Sequence, residues 1–184
     1  MIKRINGKHI AIVGFRDAKI SNVEKFLEEV RACLGKDVDF QFFDARFVAT
    51  WQHLYFASLN ALKAFKNKEN ISKSLSMETM LYASAQRQIQ KAVGLLGIKP
   101  NSSEIAVLII SGDLQNVKSA LSSITKIVNA ERDDRVLMLS KEKIEALKRV
   151  FEISDAEVAM VGATIETVMV NLIIERMALL ATQH

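Results

Sequence analysis

Four side chains that can bind an anion recur at helical spacing near the middle of the chain. They stand at positions i, i+3, i+4 and i+7, and they are Ser84, Arg87, Gln88 and Lys91. A continuous helix would align them along one face. Arginine offers a planar fork of donors to a phosphate, lysine offers a mobile charge, and serine and glutamine can bond base edges or sugar hydroxyls. The pattern therefore suits a nucleic acid, with an ordinary solvated helix face as the alternative.

The loop in front of this stretch, NISKS at 70–74, extends the same chemistry. It carries Lys73 and two serine hydroxyls at a predicted helix N-terminus, where exposed N–H groups favour anions. Residues 63–99 hold seven basic and two acidic side chains, a net charge of +5, whereas the whole chain carries +4. Because no long basic ladder accompanies them, these residues predict a short single-stranded nucleic acid as ligand rather than a duplex.

Motifs that place catalytic groups are missing from the sequence. It contains no G-x-x-x-x-G-K-S/T loop, no G-x-G-x-x-G and no G-x-S-x-G. The three histidines, His9, His53 and His184, do not form a metal-ligand pattern with the single cysteine, Cys33. Cys33 lies on the apolar side of a helical pattern and is expected to be a core thiol. A binding protein is favoured over an enzyme, with no catalytic residue, metal or other cofactor expected.

The helix that would position the four side chains is predicted over residues 76–96. Gly97 ends the pattern, and Pro100 reinforces the stop. The positions expected to face the core of the protein are Tyr82, Ala85, Ile89, Val93 and Leu96.

Four apolar or alternating runs predict β-strands, at 8–15, 37–44, 104–111 and 136–139. Helical patterns lie between them, and two follow one another between the second and third strands, which breaks a regular βαβ alternation. We therefore predict the α+β class, as a single domain over residues 1–184. The expected architecture is a two-layer sandwich with a mixed or antiparallel four-stranded sheet and about seven helices.

The composition is that of a folded protein of the cytoplasm. Apolar residues make up 49% and charged residues 25%, while one proline and seven glycines leave little room for linkers. No apolar run approaches the roughly 20 residues that a membrane span needs, and the N-terminus does not resemble a signal peptide. A single cysteine cannot form an internal disulfide, which fits a reducing compartment.

The last helical pattern, residues 164–181, is apolar around roughly two-thirds of its circumference, where a surface helix needs nearer a third. Two faces of this helix therefore require burial. Either the helix is sandwiched inside the domain, or its outer side docks against another protein. Methionine and branched aliphatic residues suit an interface that is dry and adaptable.

Residues 38–99 resemble the TPRKB-like subunit family of the KEOPS complex. The resemblance rests on FFDARFVATWQHLYFASLNALKAF, on the NISKS loop and on METMLYASAQRQIQKAVGLLGIK. In order, these contain a strand ending in Asp-Ala, a Val-Ala-Thr that opens a helix with His53 in it, and a Met-Glu before the next helix. Beyond this stretch the similarity is looser.

The resemblance implies a non-catalytic subunit of the machinery that installs threonylcarbamoyl on the adenosine next to the anticodon of tRNA. Such a subunit captures the single-stranded 3′ CCA end of tRNA and binds the kinase-like ATPase subunit of KEOPS. The positions that it implies for RNA contact are Asn70, Lys73, Ser74, Ser84, Gln86, Arg87, Gln88 and Lys91. Those proposed for the kinase interface, on the last helix, are Ile165, Met169, Ile173, Ile174 and Met177.

Two other functions remain open at the level of sequence. A protein scaffold that regulates a kinase-like partner without binding RNA would make the basic residues incidental. An unrecognised small-molecule enzyme would require the fold to gather distant carboxylates or His53 into one cleft.

Overall fold

The computed structural model describes residues 1–159 and 164–182, in which five strands and eight α-helices alternate irregularly. The strands are β1 (Ile2–Ile5), β2 (Lys8–Arg16), β3 (Val38–Asp44), β4 (Ile105–Ser111) and β5 (Glu131–Arg132). The helices are α1 (Val23–Cys33), α2 (Trp51–Asn67), α3 (Leu75–Ser84), α4 (Ile89–Leu96), α5 (Leu114–Val128), α6 (Lys141–Val150), α7 (Asp155–Ala159) and α8 (Ile165–Thr182). Two 3₁₀ helices span Ala45–Phe47 and Asp134–Leu137.

All strand pairings in the sheet are antiparallel. The order is β1-β2-β4-β3, and β5 pairs with the far end of β2. In the centre of the sheet Ile12 lies opposite Leu108, and Val107 lies opposite Phe42. The β1–β2 hairpin turns at Asn6 and Gly7, which both have positive φ, as a tight two-residue hairpin turn requires.

Helices cover both faces of this sheet. Ile12 and Leu108 belong to one buried cluster with α2, α3, α4 and α8, whereas Val13 and Val107 belong to another with α1 and α5. Alternate residues of a strand point to opposite faces, so β2 and β4 are buried on both sides. The α+β class and an antiparallel sheet are confirmed. The predicted two layers are wrong, because the order is helix, sheet, helix.

One predicted strand is absent from the structure, and two short strands were not predicted. Residues 136–139 were predicted as a strand, but Val136 and Leu137 end the second 3₁₀ helix and the next two residues are irregular. Asp133 caps this helix by accepting a hydrogen bond from the Arg135 amide. Two short strands, β1 and β5, were not predicted. Both lie along one edge of the sheet and are largely exposed, so neither carries the apolar alternation that identifies a half-buried strand.

The predicted helix 76–96 is interrupted at Ala85. Ala85 adopts a left-handed conformation (φ 51°), its amide donates to the Tyr82 carbonyl, and the Gln86 amide donates to the Leu81 carbonyl. These two hydrogen bonds form a Schellman motif, a common helix ending. Helix α3 therefore ends at Ser84, and the chain turns before α4 begins at Ile89.

This break moves residues between core and surface. Ile89 and Val93, expected in the core, are exposed on α4, whereas Ala92 and Leu96 hold the inward positions. Cys33, also expected in the core, is exposed at the last residue of α1, where Val30 is the residue that faces inward.

The long C-terminal helix α8 is half inside the molecule. Its inner residues pack against α6 near the start of the helix and against α2 and α3 near its end. The buried side chains are Val168, Met169, Ile173, Met177 and Leu180. Of the two faces predicted to require burial, one is buried within the chain itself, while Ile165 and Leu179 remain exposed.

Candidate functional site

The loop between α2 and α3 is held by a buried carboxylate. The side chain of Glu78, which is fully buried on α3, accepts hydrogen bonds from the backbone amides of Ile71 (3.0 Å) and Ser72 (2.7 Å). A carboxylate bonded to backbone N–H groups makes strong, directional contacts. The loop is therefore fixed against α3 rather than free to move independently.

Three of the proposed RNA contacts lie on this loop. The Asn70 amide donates to the Ser72 carbonyl at 3.0 Å, so that its side chain shapes the turn. Ser74 caps α3, because its hydroxyl accepts from the Met77 amide at 3.1 Å. Lys73 is exposed between them. Of the three, Lys73 is the side chain that the loop displays most openly to a ligand.

Ser84 does not lie on the surface. Its side chain is buried, and its hydroxyl donates to the Leu81 carbonyl at 3.1 Å within α3. Because α3 ends there, Ser84 does not share a helix face with Arg87, Gln88 and Lys91, and the predicted stripe of four is wrong. Its remaining members are exposed at the turn and on α4.

The turn after Ala85 distributes its side chains between two pockets. Gln86 is half-buried and lines a pocket of about 190 Å³ together with Glu152 and Arg176. Arg87 lines a separate pocket of about 170 Å³, whose other lining residues include residues of α2 and the α2–α3 loop. Gln88 stands at the N-terminal cap of α4, where its side chain makes no capping hydrogen bond.

The pocket at Arg87 gathers polar residues that the sequence did not identify. Asn60, Lys63 and Asn67 reach it from α2, and Tyr82 reaches it from α3. Burial raises the pKa of the Tyr82 hydroxyl, which therefore stays protonated at neutral pH and can donate a hydrogen bond. The spacing of Asn60, Lys63 and Asn67 at i, i+3 and i+7 was a usable signal, since it marks one helix face.

His53 is a structural residue. It is fully buried, its Nε2 lies 2.7 Å from the Ala83 carbonyl, and its Nδ1 accepts from the Ala49 amide at 3.2 Å. Nε2 therefore carries the proton, and burial lowers the pKa of His53 to about 4. This neutral imidazole joins the start of α2 to the end of α3 and does not open into a cleft.

The proposed kinase-interface residues on α8 divide sharply by burial. Met169, Ile173 and Met177 are fully buried in the chain's own core and are inaccessible to a partner in this structure. Ile165 is exposed, and Ile174 is half-buried. Only these last two present side chains at the surface of the helix.

Ile174 lies in a groove of about 320 Å³ between α8 and the start of α2. Phe56 and Val170 add apolar surface to it. Two buried polar atoms in its wall, Thr50 Oγ1 and Gln52 Oε1, have no hydrogen-bond partner among residues 1–159 and 164–182. Buried polar atoms of this kind are rare in folded proteins, and a docked partner could satisfy them.

Within the described ranges, no cluster of three or more histidine, cysteine or acidic side chains is placed to hold a metal ion. His184 lies outside those ranges. None of the helices described has the length and apolar character needed to cross a bilayer.

A pocket lined by Lys63 and Arg87 beside α3 and a partly apolar groove beside α8 suit a protein that binds other molecules. The family model described as "Kinase binding protein CGI-121" matches residues 18–181, and the chain belongs to this family. It is 30% identical over 142 residues to "Regulatory protein Cgi121" of Methanocaldococcus jannaschii, an alignment covering 77% of this chain and 83% of that protein. The resemblance to the KEOPS subunit family is thus confirmed.

Proposed function

We propose that this chain is a non-catalytic KEOPS subunit that captures the 3′ CCA end of tRNA and binds the kinase-like ATPase subunit. In this role it supports formation of threonylcarbamoyladenosine next to the anticodon. Membership of a kinase-binding, regulatory family supports the second half of the proposal. The first half rests on the chain's cationic surface.

The observation that carries RNA binding is the pocket that Lys63 and Arg87 both line, together with Glu69. A lysine and an arginine from different elements can contact successive phosphates of one strand. Asn60 and Asn67 offer amides to base edges or ribose hydroxyls at the same place. Its volume of about 170 Å³ is too small to admit a duplex.

We infer that two further exposed cations extend this pocket into a strip along which a short strand could run, because Ile71 of the Lys73 loop lines the pocket and Lys91 follows Arg87 by four residues. Lys73 is exposed on the loop held by Glu78, and Lys91 is exposed on α4. Together with Lys63 and Arg87 they form what we term the cationic strip. A flexible 3′ end supplies unpaired bases and a phosphate backbone, which match amide and cationic groups respectively.

Filter-binding titrations with intact and CCA-trimmed tRNA test this proposal across a salt series. Lys63→Glu and Lys73→Glu are each expected to weaken binding of intact tRNA roughly tenfold and to reduce the salt slope by about one. The matched control is Lys126→Glu, because Lys126 is exposed on α5 beneath the opposite face of the sheet. If tRNA affinity changed neither when the CCA end is removed nor when either lysine is substituted, the proposal that this chain captures the CCA end would be overturned.

For the kinase-like partner, we infer that the docking face is the groove between α2 and α8. Ile174 supplies apolar contact there, while Thr50 and Gln52 offer the partner hydrogen bonds. Ile165 is exposed on α8, directly before Glu166, which lines the groove. Ile165→Glu is expected to abolish co-purification with the kinase-like subunit. A substitution at Ile173 is a poor test, because that side chain is fully buried and its loss would unfold the protein.

The alternative function is a scaffold that regulates the kinase-like partner without touching RNA. The unpartnered polar atoms of the α2–α8 groove favour protein docking in either case. The scaffold alternative is distinguished by tRNA binding that is negligible at low salt and unchanged by Lys63→Glu. Partner binding that remains sensitive to Ile165→Glu under those conditions would establish it.

A further inference from the structure

A second pocket, of about 360 Å³, lies between the two 3₁₀ helices and α6. Its charged lining consists of Arg16, Arg46, Arg135 and Lys143, with Glu104 and Glu142 opposing them. Val136 and Met138 add apolar surface. It shares no residue with the Lys63–Arg87 pocket or with the α2–α8 groove.

Two of its arginines are held by the same local motif. In each 3₁₀ helix an aspartate accepts the backbone amide of the arginine two residues later, and its carboxylate pairs with that guanidinium. Asp44 binds Arg46 at 2.9 and 2.6 Å, and Asp133 binds Arg135 at 2.8 and 3.0 Å. A guanidinium has five N–H donors, so each arginine keeps donors beyond the two that its aspartate engages.

The aspartates behind these arginines are themselves buried. Arg135 holds the pKa of Asp133 at about 2, so the pair stays ionised at every physiological pH. Rigid aspartate contacts position Arg46 and Arg135 in advance, which lowers the entropy lost when a ligand binds. The two arginine side chains remain 58% and 74% exposed, respectively.

Lys143 adds a buried cation to the pocket. Its ammonium donates to the carbonyls of Val136 at 2.7 Å and Met138 at 3.2 Å, so one of its three protons has no acceptor among the residues that the structure describes. Among the ion pairs of residues 1–159 and 164–182, none includes Lys143. A buried charge without an opposite charge in contact is costly, and a bound anion would offset that cost.

Arg16 is also incompletely paired. Its Nε lies 3.0 Å from Asp133 Oδ2, yet this buried N–H is not aligned for a hydrogen bond with any acceptor in the described part of the chain. Two separate cations of one pocket, Arg16 and Lys143, thus retain unused N–H donors. Their unmet donors, rather than net charge alone, indicate a site for an oxygen-rich anion.

We propose that this pocket binds the phosphate group of a small phosphate ester, about the size of a mononucleotide. A phosphate presents three acceptor oxygens and can bridge the donors of Arg46, Arg135 and Lys143. The apolar side chains of Val136 and Met138 suit the organic part of such an ester. The cavity volume falls within the usual range of about 300–1,000 Å³ for small-molecule sites.

Calorimetric titration of the full chain with AMP, with adenosine as the phosphate-free reference, tests the proposal. AMP is expected to bind at least tenfold more tightly than adenosine. Arg46→Gln and Arg135→Gln are each expected to weaken AMP binding roughly tenfold, because each removes a charged donor. Equal binding of AMP and adenosine, or AMP binding that survives both substitutions in folded protein, would overturn it.

Two matched variants locate the site. Arg149→Gln removes an exposed charge from the same helix, α6, away from the pocket and is expected to leave AMP affinity unchanged. Arg87→Gln tests whether AMP instead occupies the pocket beside α3. Loss of AMP binding in Arg87→Gln but not in Arg135→Gln would overturn the assignment to this pocket.

A measurement on the unsubstituted protein avoids any concern over folding. Burial lowers the pKa of Lys143 to about 8, and a phosphate beside it should raise that pKa again. AMP binding at pH 8 is therefore expected to take up a fraction of a proton, seen as a binding enthalpy that varies with the ionisation enthalpy of the buffer. Amide NMR shifts induced by AMP should centre on Val136 and Met138, and shifts elsewhere alone would contradict the proposal.

A competition arm distinguishes a small ester from an RNA backbone. A CCA-ending single-stranded oligonucleotide is expected to leave bound AMP in place, since the two ligands use pockets that share no residue. Displacement of AMP that is abolished by Arg135→Gln would mean that the pocket belongs to the RNA path, which overturns the small-molecule occupant.

Discussion

Glu78 shows how one buried side chain sets the geometry of an exposed surface. It has no access to solvent, yet its carboxylate accepts the amides of Ile71 and Ser72 and thereby fixes the loop that displays Lys73. The Met-Glu pair was part of the pattern that pointed to the family, but the sequence alone gave no reason for the glutamate. The reason is structural: an anion is required to satisfy converging backbone N–H groups.

Glu78→Gln is expected to lower the free energy of unfolding by about 1–3 kcal/mol. The neutral amide weakens the bonds to the loop and can place an N–H group against backbone N–H donors. Urea unfolding monitored by circular dichroism measures the change. Glu29→Gln, on the exposed face of α1, is the matched control and should alter stability by less than about 0.5 kcal/mol. Equal effects of the two substitutions would show that Glu78 does not anchor the loop.

The buried neutral His53 makes stability depend on pH in a defined window. Its pKa is about 4 in the folded protein and about 6.5 when unfolded, so between these values the unfolded chain binds more protons. The free energy of unfolding should therefore fall as pH drops from about 6.5 to 4, by up to roughly 3 kcal/mol. Above about pH 7 His53 should make no contribution to the pH dependence of the free energy of unfolding.

Urea unfolding at half-unit pH intervals measures this dependence. In His53→Gln the loss of stability between pH 6.5 and 5 should shrink, since carboxyl groups titrate mainly below about pH 5. His9→Gln serves as the control because His9 lies on β2 and does not share the buried contacts of His53. An unchanged slope in His53→Gln would contradict the assignment of a buried neutral imidazole.

At the level of elements, the regular parts of the fold were predictable, and the interrupted parts were not. β2, β3 and β4 and the long helix α8 follow clear apolar periods, and their predicted positions hold within a few residues. The continuous apolar run of β4 could have predicted helices on both faces of the sheet, because such a run indicates a strand buried on both sides. All seven residues of β4 are indeed buried. The two-layer prediction gave this run too little weight.

The break at Ala85 had no such signal. Left-handed helix endings usually contain glycine or asparagine, and the chain has alanine there. Without a breaker the helical period of Tyr82, Ile89 and Leu96 continues across the turn, so a single helix was the natural prediction. The candidate site depended on that error, because the stripe through Ser84 required an unbroken helix.

Ala85→Gly is expected to stabilise the protein by up to about 1 kcal/mol. Glycine adopts positive φ without the steric cost that alanine carries, although it also increases the entropy of the unfolded chain. Thermal and urea unfolding report the change, and tRNA affinity should stay the same because the backbone conformation is retained. Ala83→Gly, within the last turn of α3, is the control and should destabilise the protein. Destabilisation by Ala85→Gly would argue against the left-handed turn.

Gly14 governs the contact between β2 and the second 3₁₀ helix. A Cβ atom at Gly14 would lie 2.3 Å from Val136 Cγ2 and 2.7 Å from the Asp133 carbonyl oxygen. Gly14→Ala is expected to cost about 1–3 kcal/mol in urea unfolding, since backbone atoms must shift. Gly94→Ala is the opposite control: open space surrounds Gly94 on α4, so alanine should stabilise that helix by up to about 1 kcal/mol.

At the scale of the whole molecule, α8 connects the two proposed binding surfaces. Leu180 near its end lines the Lys63–Arg87 pocket, whereas Ile174 and Thr167 line the α2–α8 groove. Fifteen residues separate Ile165 from Leu180, which is about 22 Å along a helix. The wide apolar arc of α8 predicted that part of this helix is buried. Only its packing against α2, α3 and α6 shows which of its methionines and isoleucines face inward.

This separation predicts that binding of tRNA and of the kinase-like subunit can be lost independently. Lys63→Glu should weaken tRNA binding while leaving co-purification with the kinase-like subunit intact, and Ile165→Glu should do the reverse. Because the two sites share no residue, the double variant should show the sum of the two single effects in free energy, within about 0.5 kcal/mol. Quantitative pull-down measures binding of the kinase-like subunit, and filter binding measures binding of tRNA. Both are applied to the unsubstituted protein, the two single variants and the double variant. If Ile165→Glu alone abolished tRNA binding in folded protein, α8 would couple the surfaces rather than separate them.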